Sequence, residues 1–78
     1  MKIPLGPTAF WDVDMNTLDE EQHADFIITR IFRYGMLSDL RAVLKHYSRG
    51  QIQNAFKTQR GIDRRTIDFA RALGYIDD

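Results

Sequence analysis

Residues 40–58, Leu-Arg-Ala-Val-Leu-Lys-His-Tyr-Ser-Arg-Gly-Gln-Ile-Gln-Asn-Ala-Phe-Lys-Thr, decide the fold. Leu40, Val43, Leu44 and Tyr47 recur at the i, i+3, i+4, i+7 spacing of a helix with one buried face. Ser48-Arg49-Gly50 interrupts that pattern. Ser48 followed by Gln51 has capping-box form, because each side chain can accept a backbone N–H that the new helix leaves unsatisfied. A second helix therefore runs to about Thr58, with Ile52, Ala55 and Phe56 inward. Two helices joined by a break this short have the form of a helix-turn-helix.

Working outward, Asp19 and Gln22 also have capping-box form. Phe26, Ile27, Ile31 and Tyr34, widened by Ile28 and Phe32, predict a helix over residues 19–34 that ends at Gly35. Ser38 is expected to open the helix of Leu40–Tyr47, with Asp39 in its first turn. Asp63 is expected to cap a last helix from Arg64 to Leu73, whose inward residues are Thr66, Phe69, Ala70 and Leu73. Both prolines and Gly6 fall in the first nine residues, which read as an extended arm. Nothing alternates with the period of two that a strand requires. The expectation is an all-α protein: a compact bundle of about four helices with a helix-turn-helix-like pair and an extended N-terminal arm. Residues 1–18 form the arm and residues 19–78 a single helical domain. The Phe10-Trp11 pair should dock onto the helices, with Trp11 buried, because an indole is costly to leave in water.

At 78 residues, with no cysteine, the chain has neither disulfides nor a cysteine-bound zinc to support it. A domain this small buries only about 60% of the surface its unfolded chain exposes, so little volume is left for a dry catalytic cleft. No apolar run approaches the roughly 20 residues of a membrane helix, and none has the form of a signal peptide. A cytoplasmic protein without membrane contact is expected. Asp12-x-Asp14-x-Asn16 spells the start of a calcium loop. Thr17 and His23, however, stand where such a loop needs glycine and a bidentate glutamate. These acids are expected to cap turns or to pair with arginines. His23 and His46 fall on different helices, and Ser38 and Ser48 read as caps. No catalytic residue, metal ligand or cofactor is assigned, and the chain is expected not to be an enzyme.

Charge is segregated although the formal net charge is zero. Residues 1–28 hold Lys2 against Asp12, Asp14, Asp19, Glu20, Glu21 and Asp25, whereas Arg41, Lys45, Arg49, Lys57, Arg60, Arg64 and Arg65 face only Asp63 within residues 41–65. Opposed faces of this kind can attract each other within one fold, or present a local field to a partner. With Ile52, Ala55 and Phe56 inward at about 100° per residue, the third helix turns Gln53, Asn54 and Lys57 outward. Amide side chains pair with adenine edges, and cations with guanine or phosphate. Arg49, Gln53, Asn54, Lys57, Arg60, Arg64 and Arg65 are therefore the candidate contacts to duplex DNA. The same face is also what an ordinary solvated helix presents. A homodimer would extend the readout, since two-fold operators match two-fold proteins. Phe10, Trp11, Asp12 and Asp14 are the candidate contacts to a protein partner, which would make the chain an interaction module without DNA binding.

Phe10-Trp11-Asp12-Val13-Asp14, Leu18-Asp19, Phe26-Ile27-Ile28-x-Arg30 and Gly35-x-x-x-Asp39, continuing through Tyr47, Ile52, Lys57 and Arg60 to Phe69, resemble a family of small bacterial helical domains common in Bacteroidetes. Members often lie beside nucleotidyltransferase-type abortive-infection toxins. The resemblance implies an antitoxin-like regulator with a cognate toxin-like protein as partner; it brings no catalytic residues.

Overall fold

One helix organises the chain. In the computed structural model, which describes residues 3–76, α1 (Ala24–Tyr34) touches the N-terminal segment, α2 (Leu37–His46), α3 (Arg49–Thr58) and α4 (Arg64–Ala72). Its most extensive packing is against α3, while α2 and α3 meet each other little. Ile27, Ile28, Ile31 and Phe32 supply the buried stripe of α1. Val43 and Tyr47, Ile52 and Ala55, and Ala70 close on it from the other three helices. Phe32 stands where helices converge: its ring lies 5.0 Å from that of Phe56, 5.7 Å from Phe69 and 6.0 Å from Tyr75. The all-α bundle of four helices is thus present, with no strand among the described residues. Among the described residues, no helix is long and apolar enough to cross a membrane.

The expected caps hold at two of four places. Ser48 accepts the amide of Gln51 while the Gln51 side chain accepts that of Ser48, and Asp63 accepts the amide of Thr66. The regular part of α1, in contrast, begins at Ala24 rather than at residue 19. Asp19 does accept the amides of Glu21 and Gln22, and the buried Tyr47 hydroxyl donates to the Glu20 carbonyl, so residues 19–23 form a turn that leads into the helix. Nor does Ser38 open α2. Its N-cap is Met36, whose amide donates to Asp39 from below, so Ser38 falls inside the first turn.

The arm is less extended than its composition suggests. Two 3₁₀ turns, Thr8–Phe10 and Met15–Thr17, fold it back over α1. Ile3, Ala9 and Phe10 enter the core from it. Burial of Trp11 is a correction: Phe10 is 2% exposed, and Trp11 is 62% exposed. In a 3₁₀ turn successive side chains point about 120° apart, so burying Phe10 turns its neighbour outward. Phe69 of α4 and Leu73 at its C-cap are likewise partly exposed, at 39% and 41%; Thr66 and Ala70 are the buried residues of that helix, and the Phe69 ring meets that of Phe32 at a tilt. Residues 1–2 and 77–78, the outer ends of the expected arm and helical domain, lie outside the described residues.

Candidate functional site

A groove that gathers three arginines around aromatic rings forms where the arm, α1 and the α3–α4 loop meet. Trp11 and Asp12 come from the arm, Arg30, Arg33 and Tyr34 from the second half of α1, and Arg60 from the loop. The open volume is about 220 Å³. Arg30 is fixed from two sides: its Nε donates to the Ala9 carbonyl at 3.0 Å, and its guanidinium pairs with Asp12. That guanidinium also lies 4.8 Å from the Trp11 ring centre and 5.1 Å from that of Phe26, within cation–π range. Trp11 meets Tyr34 edge-on at 4.7 Å. Arg33 lies over Tyr34 and pairs with Asp63 at 3.2 Å. Asp63 is held below the ordinary carboxylate value by the Thr66 hydroxyl, the Thr66 amide and Arg33.

The candidate partner residues thus separate. Trp11 and Asp12 line this groove, Asp14 caps the second 3₁₀ turn through the Asn16 amide, and Phe10 lies in the core beneath them. Asp12 and Asp14 therefore act as the expected arginine partner and turn cap. Met36 and Leu37, which the sequence reading placed in no site, are 60% and 66% exposed directly after Tyr34 and Gly35. Their signal was legible: two large apolar residues stand beside a helix-terminating glycine, outside the Leu40-Val43-Leu44-Tyr47 stripe.

The candidate DNA contacts separate too. Gln53 and Lys57 line a groove between α3 and α4 whose floor is Phe56, Ile67 and Tyr75. Asn54 instead borders a depression with Glu21 and Asp25, and the next-turn residue Thr58 donates its hydroxyl to the Asp25 carboxylate. Arg49 donates to the Gly74 carbonyl and lies 5.2 Å from the Tyr75 ring centre, which fastens the segment just after α4 to the start of α3. Lys57, Arg60, Arg64 and Arg65 remain outward at the α3–α4 junction. Arg64 is 92% exposed and no closer than 3.9 Å to Asp68, and Lys57, Arg60 and Arg65 have no hydrogen-bond or ion-pair partner among the described residues. Of the histidines, His23 accepts the Asp19 amide through Nδ1, and His46 lies 4.0 Å from Glu21.

Fold and site together define a small all-helical domain with a clasped N-terminal arm and an arginine–aromatic groove. The chain belongs to DUF6922, a family of unknown function, which it matches over residues 5–56. The match takes in the arm, α1, α2 and α3 as far as Phe56; Lys57, Arg60 and Phe69, through which the resemblance was extended, lie beyond it. No curated protein and no solved structure matches the chain.

Proposed function

We propose that the chain is an antitoxin-like regulatory module that binds a protein partner through the surface at the end of α1. The observation that carries this reading is the exposure there of Trp11, Met36 and Leu37, each at 60% or more, with Tyr34 between them in sequence. Large apolar side chains grouped on so small a domain mark an interaction site. Trp, Tyr and Arg are the residues that most often dominate binding energy, and Arg30 and Arg33 flank this surface. The partner's class comes from the sequence resemblance, which implies a toxin-like protein. Co-expression with the product of the adjacent gene tests the reading. Wild type should co-elute with it on gel filtration, and Leu37→Asp and Trp11→Ala should abolish the complex while the helical circular dichroism is kept. Absence of a complex, or one indifferent to both substitutions, overturns it.

A second reading, duplex DNA binding, draws on Lys57, Arg60, Arg64 and Arg65, which stand outward and, among the described residues, largely unpaired. On this reading the cations grip phosphates from the α3–α4 junction, while Gln53 and Asn54 lie on different sides of α3. Arg64→Ala should lower the slope of log affinity against log salt by about one. If promoter DNA is not shifted at low salt, with or without the partner, this reading fails.

A further inference from the structure

The groove bounded by Trp11 and Arg60 has chemistry that a protein interface alone does not require. Three arginines, Arg30, Arg33 and Arg60, line it against the single carboxylate of Asp12. Arg30 and Arg33 are held in place by Asp12 and Asp63, whereas Arg60 has no partner among the described residues. Arg30 lies over the Trp11 indole and Tyr34 meets it at right angles, yet Trp11 remains 62% exposed. The Arg60 side of the mouth is unobstructed: at Gly61, φ +76°, nothing lies within 4 Å of where a Cβ would stand.

We propose that this groove is a nucleotide site, in which a base stacks on the exposed part of the Trp11 indole and the phosphate is held by Arg60 with Arg33. A planar ring beside an anion is the ligand that an exposed indole and a nearby free guanidinium recognise together. A groove of about 220 Å³ admits one base and one phosphate. Bases stacked within a duplex cannot reach the indole, so the nucleotide is either free or part of a single strand. The site deepens the partner-surface reading and shares Trp11 with it, but the two differ at Arg60, which only the groove uses, and at Met36 and Leu37, which do not line the groove.

Trp11 is the only tryptophan, so its fluorescence reports on this groove alone. Full-length protein at low ionic strength is titrated with AMP, adenosine, inorganic phosphate, a short single-stranded oligonucleotide and the matching duplex. Saturable quenching by AMP or by the single strand is expected, about tenfold weaker for adenosine and for Arg60→Ala, both of which lose the charged contact. A single strand with a lower midpoint than AMP identifies the strand as the source; AMP at equal or lower midpoint identifies the free nucleotide. Leu37→Asp should titrate as wild type, which separates failure of this site from failure of the partner surface. No saturable quenching by AMP or the single strand, quenching unchanged in Arg60→Ala, or equal quenching by phosphate alone overturns the proposal.

Discussion

The carboxylate of Asp39, at the start of α2, accepts the backbone amide of Gly6 at 2.9 Å across 33 positions of sequence. Its second oxygen takes the amide of Met36 at 3.1 Å, and Asp39 is 3% exposed. One side chain thereby caps a helix and clasps the arm to it.

Removing the clasp should be costly. Asp39→Ala leaves two amides without their acceptor, at about 1–3 kcal/mol for each that stays buried. Asp39→Asn should rescue only in part, because an amide group offers one oxygen where two acceptors are used. Urea unfolding of the three proteins checks this; equal midpoints would show that the arm is held by its apolar contacts alone.

Neighbouring aromatic residues of the arm should behave oppositely. Phe10→Ala empties a core position and should cost about 3–5 kcal/mol. Trp11→Ala removes an exposed ring and its contacts with Arg30 and Tyr34, and should cost about 1 kcal/mol or less. Thermal unfolding of the pair reads the contrast directly.

Two glycines should respond with opposite sign. A Cβ at Gly35 would lie 2.7 Å from the Ile31 carbonyl oxygen, so Gly35→Ala forces backbone to move and destabilises. At Gly50 the nearest atom is Ser48 Oγ at 4.0 Å. Gly50→Ala should therefore stabilise α3 by about 0.4–1 kcal/mol, chiefly by restricting the unfolded chain. Denaturation midpoints moving in the same direction would contradict this account.

Acid should weaken the start of α4. The Thr66 hydroxyl and amide, with Arg33, hold Asp63 below its ordinary value of 3.8, and the amides of Gln22 and Glu21 do the same for Asp19. A carboxylate depressed by folding contributes stability that is present above the unfolded value and is lost as the pH falls through the folded one. Stability should decline below about pH 4. Asp63→Asn keeps an oxygen at the cap and cannot titrate, so its acid limb should be flatter than that of wild type.

Much of this architecture is legible in the residues. Apolar spacing located all four helices, and Ser48 with Gln51 and Asp63 with Thr66 cap where side-chain chemistry places them. Misreadings arose where a tertiary contact or a neighbouring residue took the role that local spacing assigns elsewhere. The turn before α1 is met by Tyr47, whose hydroxyl donates to the Glu20 carbonyl from 27 positions away, and Asp39 rather than Ser38 serves the first turn of α2. The groove was hidden for the same reason. Trp11, Arg33 and Arg60 belong to three separate segments, and no spacing rule relates them.

The central place of α1 sets the order in which the molecule can come apart. Since α2 and α4 lean on α1 more than on α3, either can lift away while the α1–α3 pair remains. The amides of Ile27 to Phe32 then become accessible only when the whole chain opens. Hydrogen exchange should be slowest there and faster in α2 and α4, with α1 and α3 forming the last structure to be lost.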